Sequence, residues 1–333
     1  MAIIKKLIVT GVVVALAAAG GFSWWTKHAL TTGGEPIEFT INPGSGVAAS
    51  AQQMVAAGVP INPTMFVLLA RLTGDAARIK AGSYELKPDT SPRRLLGQLV
   101  RGEFAQEAIT IIEGWTFRQM RQAIGAHNRL KHDTVKLSDQ ELMGKISTEF
   151  KDPEGLFFPD TYLFAKGSSE IEIYRRAHQS MLDHLNAAWE QRNKELPYKT
   201  PYEALIMASI VEKETGQKSE RNMIAGVFVN RLRTGMLLQT DPTVIYGMGD
   251  AFVGKIAKKD LLTDTPYNTY TRSGLPPTPI SLPGLQSLQA ALAPAETPAL
   301  YFVSRGDGTS QFSSNLPDHN RAVNRYQRGI TTQ

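Results

Sequence analysis

An uncharged run from Leu7 to Thr26 separates the first residues of this chain from all that follows. It is entered through Lys5 and Lys6 and left through Lys27 and His28. About twenty apolar residues in a helix cross a hydrocarbon core. Trp24 and Trp25 stand at the far end, where indole rings favour the headgroup interface. The leading lysines imply an N-terminus inside and a body outside. A cleaved signal peptide is the alternative, since the Ala-rich stretch ALAAAGG offers a processing site. No cysteine follows it, so a lipoprotein anchor is excluded. The run reads as an uncleaved anchor, with residues 1–6 cytoplasmic and 7–26 transmembrane.

The missing cysteines also remove disulfides, thiolate metal sites and cysteine nucleophiles. The six histidines are scattered, and no His/Asp/Glu cluster has metal-ligand spacing, so no cofactor or metal is expected. A net charge of +5 is mild and lacks the concentrated basic stripe of a nucleic-acid binder, so no nucleic acid is expected as partner.

Beyond a short linker, Thr31 to Pro36, alternation and turn residues predict a strand and turn over Ile37 to Gly46. Helices follow over Val47 to Ala57 and Pro63 to Thr73. A second strand covers Ile79 to Pro88, and a helix from Ser91 to Arg101 opens at Ser-Pro. From Glu107 a strand, a turn at Glu113-Gly114 and a helix are expected. Lys136 to Phe150 reads as polar helix and Ile171 to Leu196 as a long amphipathic one. Between them, Glu154 to Phe164 crowds aromatics around Pro159 and Asp160, suiting either a core plug or the wall of a sugar cleft.

Tyr202 to Thr215 is the most informative segment. Pro201 precedes it, Gly216 suits a C-terminal cap, and the helix is apolar almost all round, which predicts burial. Glu212 and Glu214 lie at its end. At about 100° per residue, the apolar face centres near Ala204, Met207 and Val211. Glu214 projects within roughly 50–60° of that centre and Glu212 roughly 105–110° away. Glu214 is therefore the carboxylate directed to the core or a cleft. Burial and the negative end of the helix dipole both raise a carboxyl pKa, as a general acid requires. An ion pair with Arg221 or Arg231 is the structural alternative.

Downstream, a second helix carries Asn230 and Arg231. Gln239, Thr240, Asp241 and Tyr246 gather around a Pro turn. Asn268, Thr269 and Tyr270 open a proline-rich stretch to Gly284. Neutral hydrogen-bonding groups on such loops suit a carbohydrate groove. Asn230, Gln239, Thr240, Asp241, Tyr246, Asn268, Thr269 and Tyr270 are the candidate substrate-binding residues.

In these segments the chain resembles the MltG (YceG-like) family of endolytic murein transglycosylases. ASIVEKET (Ala208 to Thr215), SER (Ser219 to Arg221), VFVNRL (Val227 to Leu232), LQTDPTVIYG (Leu238 to Gly247) and YNTYTRSGLPP (Tyr267 to Pro277) match in order and spacing. So do EGLFFPDTY (Glu154 to Tyr162) and the pair His319-Asn320. The chain departs at Ser310, where the family often has His, and at Leu282, where it often has Asn.

The resemblance implies that Glu214, the second Glu of the EKE triplet, is catalytic. It implies an α+β architecture: a single N-terminal transmembrane helix, a small LysM-like α/β subdomain over 27–106 and a larger mixed α+β catalytic domain over 107–333. It places the body in the periplasm on the cell inner membrane. The implied partners are peptidoglycan glycan strands, penicillin-binding proteins and other cell-wall synthases. The implied reaction cuts the β-1,4 bond between N-acetylmuramic acid and N-acetylglucosamine in nascent strands, leaves 1,6-anhydromuramic ends and terminates strand elongation. A hydrolytic muramidase, with Asp241 or Asp160 as second carboxylate, and a non-catalytic glycan-binding scaffold are the alternatives.

Overall fold

The N-terminal run folds as one helix, α1 (Ala2–Lys27), whose apolar side chains from Ile3 to Leu16 stand exposed. It is long and apolar enough to cross a membrane. The computed structural model describes residues 2–214 and 217–329. Thr215 and Gly216, the expected end and cap of the central helix, lie outside them. The architecture is mixed α+β and divides into two compact units, Met1–Glu107 with Leu163–Ser168, and Ala108–Tyr162 with Ser169–Gln333.

In the first unit, β1 (Ile37–Ile41) is followed by α2 (Val47–Ala56), α3 (Pro63–Leu72), β2 (Gly82–Leu86) and α4 (Pro92–Arg101). β1 and β2 pair antiparallel with Phe39 opposite Tyr84. Alternation sends Phe39, Ile41, Tyr84 and Leu86 to one face. Helix starts follow their side chains: Asn62 accepts the Met65 N–H and Ser91 the Arg94 N–H, each ahead of a proline. Met54, Phe66, Leu95 and Leu99 fill the space above the two strands.

β3 (Gln106–Thr110) and β4 (Thr161–Ala165) pair. The second unit then carries α5 (Phe117–Gly125), α6 (Asp139–Gly144), α7 (Glu170–Glu190), α8 (Pro201–Glu214), α9 (Arg221–Arg233), α10 (Asp241–Met248), α11 (Lys258–Leu262), α12 (Leu285–Leu292), β5 (Tyr301–Ser304), β6 (Ser310–Ser313) and α13 (Leu316–Tyr326). α8 is its centre. Every residue from Ala204 to Val211 is buried, and α7, α9, α10 and α12 pack around it. β5 and β6 form a hairpin on which α13 lies.

Three expected elements come out differently. The helix read over Lys136 to Phe150 is only α6. A Ser138/Glu141 capping box starts it, and Ser147 Oγ then takes the N–H groups of Glu149 and Phe150, which competes with helical bonding. α7 stops at Glu190 rather than Leu196, because the Asn193 N–H goes to the Leu292 carbonyl. The Pro turn at 240–246 is the start of α10, with Pro242 in its first turn. The aromatics of Glu154 to Phe164 serve packing: Phe157, Phe158, Tyr162 and Phe164 are all buried. Gly155 sits at φ 77°, and a side chain there would run into Pro279.

Candidate active site

α8 delivers its two terminal carboxylates to different surroundings. Glu212 is turned into the protein, with its side chain 6% exposed. It pairs with Arg221 at 3.2 Å and accepts the Gly284 N–H at 3.0 Å and the Ser287 hydroxyl at 2.7 Å. It thus closes the N-terminus of α12 from a neighbouring helix, as an acidic cap does within one. The helical wheel ranked Glu212 as the more outward of the two. α8 is enclosed on nearly all sides, so angle from the apolar centre does not order burial here.

Glu214 is half-buried and opens onto a groove of about 960 Å³. Arg221, one expected partner, is engaged by Glu212. Arg231, the other, lines the same groove without an ion pair among the described residues. The Glu214 pKa is raised, first by burial and then by the nearby Asp241 carboxylate. A hydrogen bond from Thr240 and the charge of Arg231 oppose the rise.

The Thr240 contact is specific. Thr240 occupies the N-cap position of α10, where a threonine hydroxyl normally serves the helix. Its hydroxyl instead donates to Glu214 Oε1. Thr269 fixes Thr240 from behind by accepting its N–H at 3.1 Å and sharing a hydroxyl contact with Thr243 at 2.9 Å. Gln239, next in the chain, holds φ 50°, an uncommon conformation for a residue with a side chain. Its N–H bonds to the Thr269 carbonyl at 3.1 Å. Such a conformation persists because the surrounding bonds determine it.

The eight candidate substrate-binding residues separate into two groups. Gln239, Asp241 and Tyr270 line the groove with Glu214, and the Tyr270 hydroxyl donates to Asp241 at 2.6 Å. Thr240 touches Glu214 from a buried position. The other four face away from the groove. Thr269 is the buried support just described. Asn268 binds the carbonyls of Asp260, Leu261 and Thr263 through Nδ2 and accepts the Tyr270 N–H through Oδ1. Asn230 donates to the carbonyls of Thr297 and Ala299. Tyr246 donates to Glu154 Oε2 at 3.1 Å. These four hold the loops that carry the groove. Asp160 is exposed and binds the N–H of Thr161, outside the groove.

Several groove residues are not legible as such in the sequence. Arg231 is 7% exposed and binds the carbonyls of Leu300 and Leu238 at 2.7 and 2.6 Å. Its guanidinium lies 5.3 Å from the Tyr301 ring centre. Tyr301 stacks in turn on His319, with ring centres 5.1 Å apart. β5 and α13 thus form a wall of the groove onto which Glu214 opens. Only the His319-Asn320 pair signalled this wall. Among the described residues, no group of three or more His, Asp or Glu side chains is placed to hold a metal.

Among the described residues, Glu154 is a buried carboxyl without a cation in an ion pair. It is 5% exposed and bonded by the Phe117 N–H at 3.0 Å and by Tyr246. Burial pushes its pKa from 4.5 up to about 7. Below about pH 4.5 the group is protonated in folded and unfolded chains alike, and its contribution to stability is complete. As pH rises to about 7 the unfolded chain loses the proton first, so stability falls, by about 3 kcal/mol at most. Glu154→Gln is expected to flatten this slope in urea unfolding measured from pH 5 to pH 8. An unchanged slope would assign it to other groups.

The sequence pattern of the YceG-like family matches residues 39–325. An endolytic murein transglycosylase of Bacillus subtilis is 32% identical over 309 residues, covering 87% of this chain and 84% of that protein. One of Streptococcus pneumoniae is 29% identical over 326 residues; the match covers 85% of this chain but 57% of that longer protein. The crystal structure of a YceG-like protein from Listeria monocytogenes superposes with a TM-score of 0.54 at 32% identity, over 86% of this chain and 98% of that one.

Proposed function

Because the chain belongs to the YceG-like family, we propose that it is a peptidoglycan lytic transglycosylase in which Glu214 moves both protons of the reaction. The observation that carries this reading is a carboxyl with a raised pKa, opening onto a groove large enough for a polymer segment. Protonated Glu214 gives its proton to the oxygen linking N-acetylmuramic acid C1 to N-acetylglucosamine, and that bond breaks. The carboxylate then takes the proton of the muramic C6 hydroxyl, whose oxygen bonds to C1 and closes the 1,6-anhydro ring. No water enters, so the pair of carboxylates used by most glycosidases is not required. Gln239, Asp241 and Tyr270 are the lining residues that meet the sugars.

The finer parts of the reading stand beside this one. Cleavage is endolytic, acts on nascent strands and ends their elongation next to penicillin-binding proteins and other synthases. α1 anchors the chain in the inner membrane with Lys5 and Lys6 on the cytoplasmic side and residues 107–333 as the periplasmic catalytic domain. The β1–α2–α3–β2 order of the first unit supports a LysM-like subdomain over 27–106. The second reading is a hydrolytic muramidase, favoured by Asp241 in the same groove as Glu214. A mass spectrum of digested, uncross-linked glycan decides between them. Anhydro ends are expected; reducing ends would transfer the reaction to water, and intact strands would leave a binding protein.

Thr240 gives this mechanism a pH signature. Its hydroxyl favours ionised Glu214, so Thr240→Val is expected to raise the Glu214 pKa further. The alkaline limb of the rate of anhydro-product formation should move to higher pH. A limb that stayed in place, or moved down, would detach it from Glu214.

A further inference from the structure

α1 does not leave the first unit on a loose tether. Its apolar side chains stand free from Ile3 to Leu16, and burial begins at Phe22. Phe22 and Trp25 pack on the core of the first unit, and α1 lies against α4. Thr26 and Leu30 are 4% and 7% exposed. The Leu30 N–H bonds to the Thr90 carbonyl at 3.0 Å, three residues past the helix end. The expected linker, Thr31 to Pro36, therefore begins only after the chain is already fixed to the unit.

The two adjacent tryptophans have separate roles. At about 100° per residue they occupy different faces. Trp25 faces the core, whereas Trp24 is 62% exposed and stacks on His28 with ring centres 3.8 Å apart. The protein-free stretch, Ile3 to Gly21, is roughly 19 residues or about 28 Å of helix. A hydrocarbon core is about 30 Å thick. The buried end of α1 thus starts where hydrocarbon gives way to headgroups. Among the described residues, Lys27, Lys87, Arg93 and Arg94 are exposed around that junction, against two acids, Glu35 and Asp89. Indoles and cations are the groups that settle among lipid phosphates.

We propose that α1 and the first unit form one rigid body, and that this Trp24-bearing basic rim rests in the phospholipid headgroup layer. The inference rests on reading α1 as a membrane span. It makes the first unit a part of the membrane surface with fixed height and tilt, and lipid phosphate is the ligand class of its rim.

The absence of cysteine allows a single-site test. Pro88→Cys, exposed in the Lys87–Thr90 turn, is labelled with a fluorophore in the full chain. The chain is placed in phosphatidylglycerol/phosphatidylethanolamine vesicles carrying headgroup-attached spin labels. The expected result is loss of most of the fluorescence by quenching. A Gly/Ser insertion of about ten residues between His28 and Ala29, combined with Phe22→Ala and Trp25→Ala to remove the packing on the core, should release the unit and restore it. A label unquenched in the native chain would overturn the headgroup contact. Quenching that survived this combined change would overturn the rigid junction. If α1 is not a span, the unmodified chain fails to float with the vesicles, a separate result.

Discussion

Glu214→Gln is expected to lower the rate of glycan cleavage by at least about a thousandfold while the protein folds as before. The amide keeps the shape of the carboxyl and an oxygen to accept the Thr240 hydroxyl. It cannot give a proton to the departing oxygen or take one from the C6 hydroxyl. Both half-steps are removed together, so the loss belongs in the chemical step and glycan binding should survive. Stability should not fall, because burial disfavours the ionised form that the substitution deletes. The measurement is anhydro-product formation by mass spectrometry beside thermal unfolding and retention on insoluble glycan. A Glu214→Gln protein that still cut strands at a tenth of the normal rate would move the proton transfer elsewhere, with Asp241 the next group in the groove.

The parts legible in the sequence are those set by local pattern. The uncharged run gives α1, alternation gives β1 and β2, and the Asn62 and Ser91 caps ahead of proline give the starts of α3 and α4. The apolar circumference of α8 announces a central helix. Polar loop residues are harder to assign, since residue type does not tell a groove surface from the scaffold beneath it. Asn268 looks like a sugar ligand in sequence, yet its amide ties three carbonyls of a preceding turn. Thr269 and Asn230 likewise satisfy backbone groups that burial would leave without partners. Tyr246 is turned to Glu154, 92 residues earlier in the chain, a pairing no local signal encodes. The wall made by Tyr301 and His319 exists only because α13 folds back on β5.

Glu212→Ala is expected to destabilise the protein by about 3–5 kcal/mol, the cost of leaving a buried charge without its partner. Arg221 is 7% exposed and, among the described residues, would keep one side-chain contact, Gln286 Oε1 at 2.5 Å, with no carboxylate to balance it. The Gly284 N–H and the Ser287 hydroxyl would lose their acceptor in the same change. Glu212→Gln retains an acceptor oxygen and should cost less, about 1–3 kcal/mol. The contrast with Glu214 follows from direction, since the two carboxylates leave the same helical turn. Glu212 points to α12 and Arg221 and is absent from the groove lining, so it serves the packing that holds the end of α8. Folded Glu212→Gln protein should therefore keep substantial turnover, with its deficit appearing in urea unfolding. Unfolding of Glu212→Ala at the unsubstituted midpoint would show that the ion pair contributes nothing. A Glu212→Gln protein that was fully folded but inert would give this carboxylate a chemical part that its position argues against.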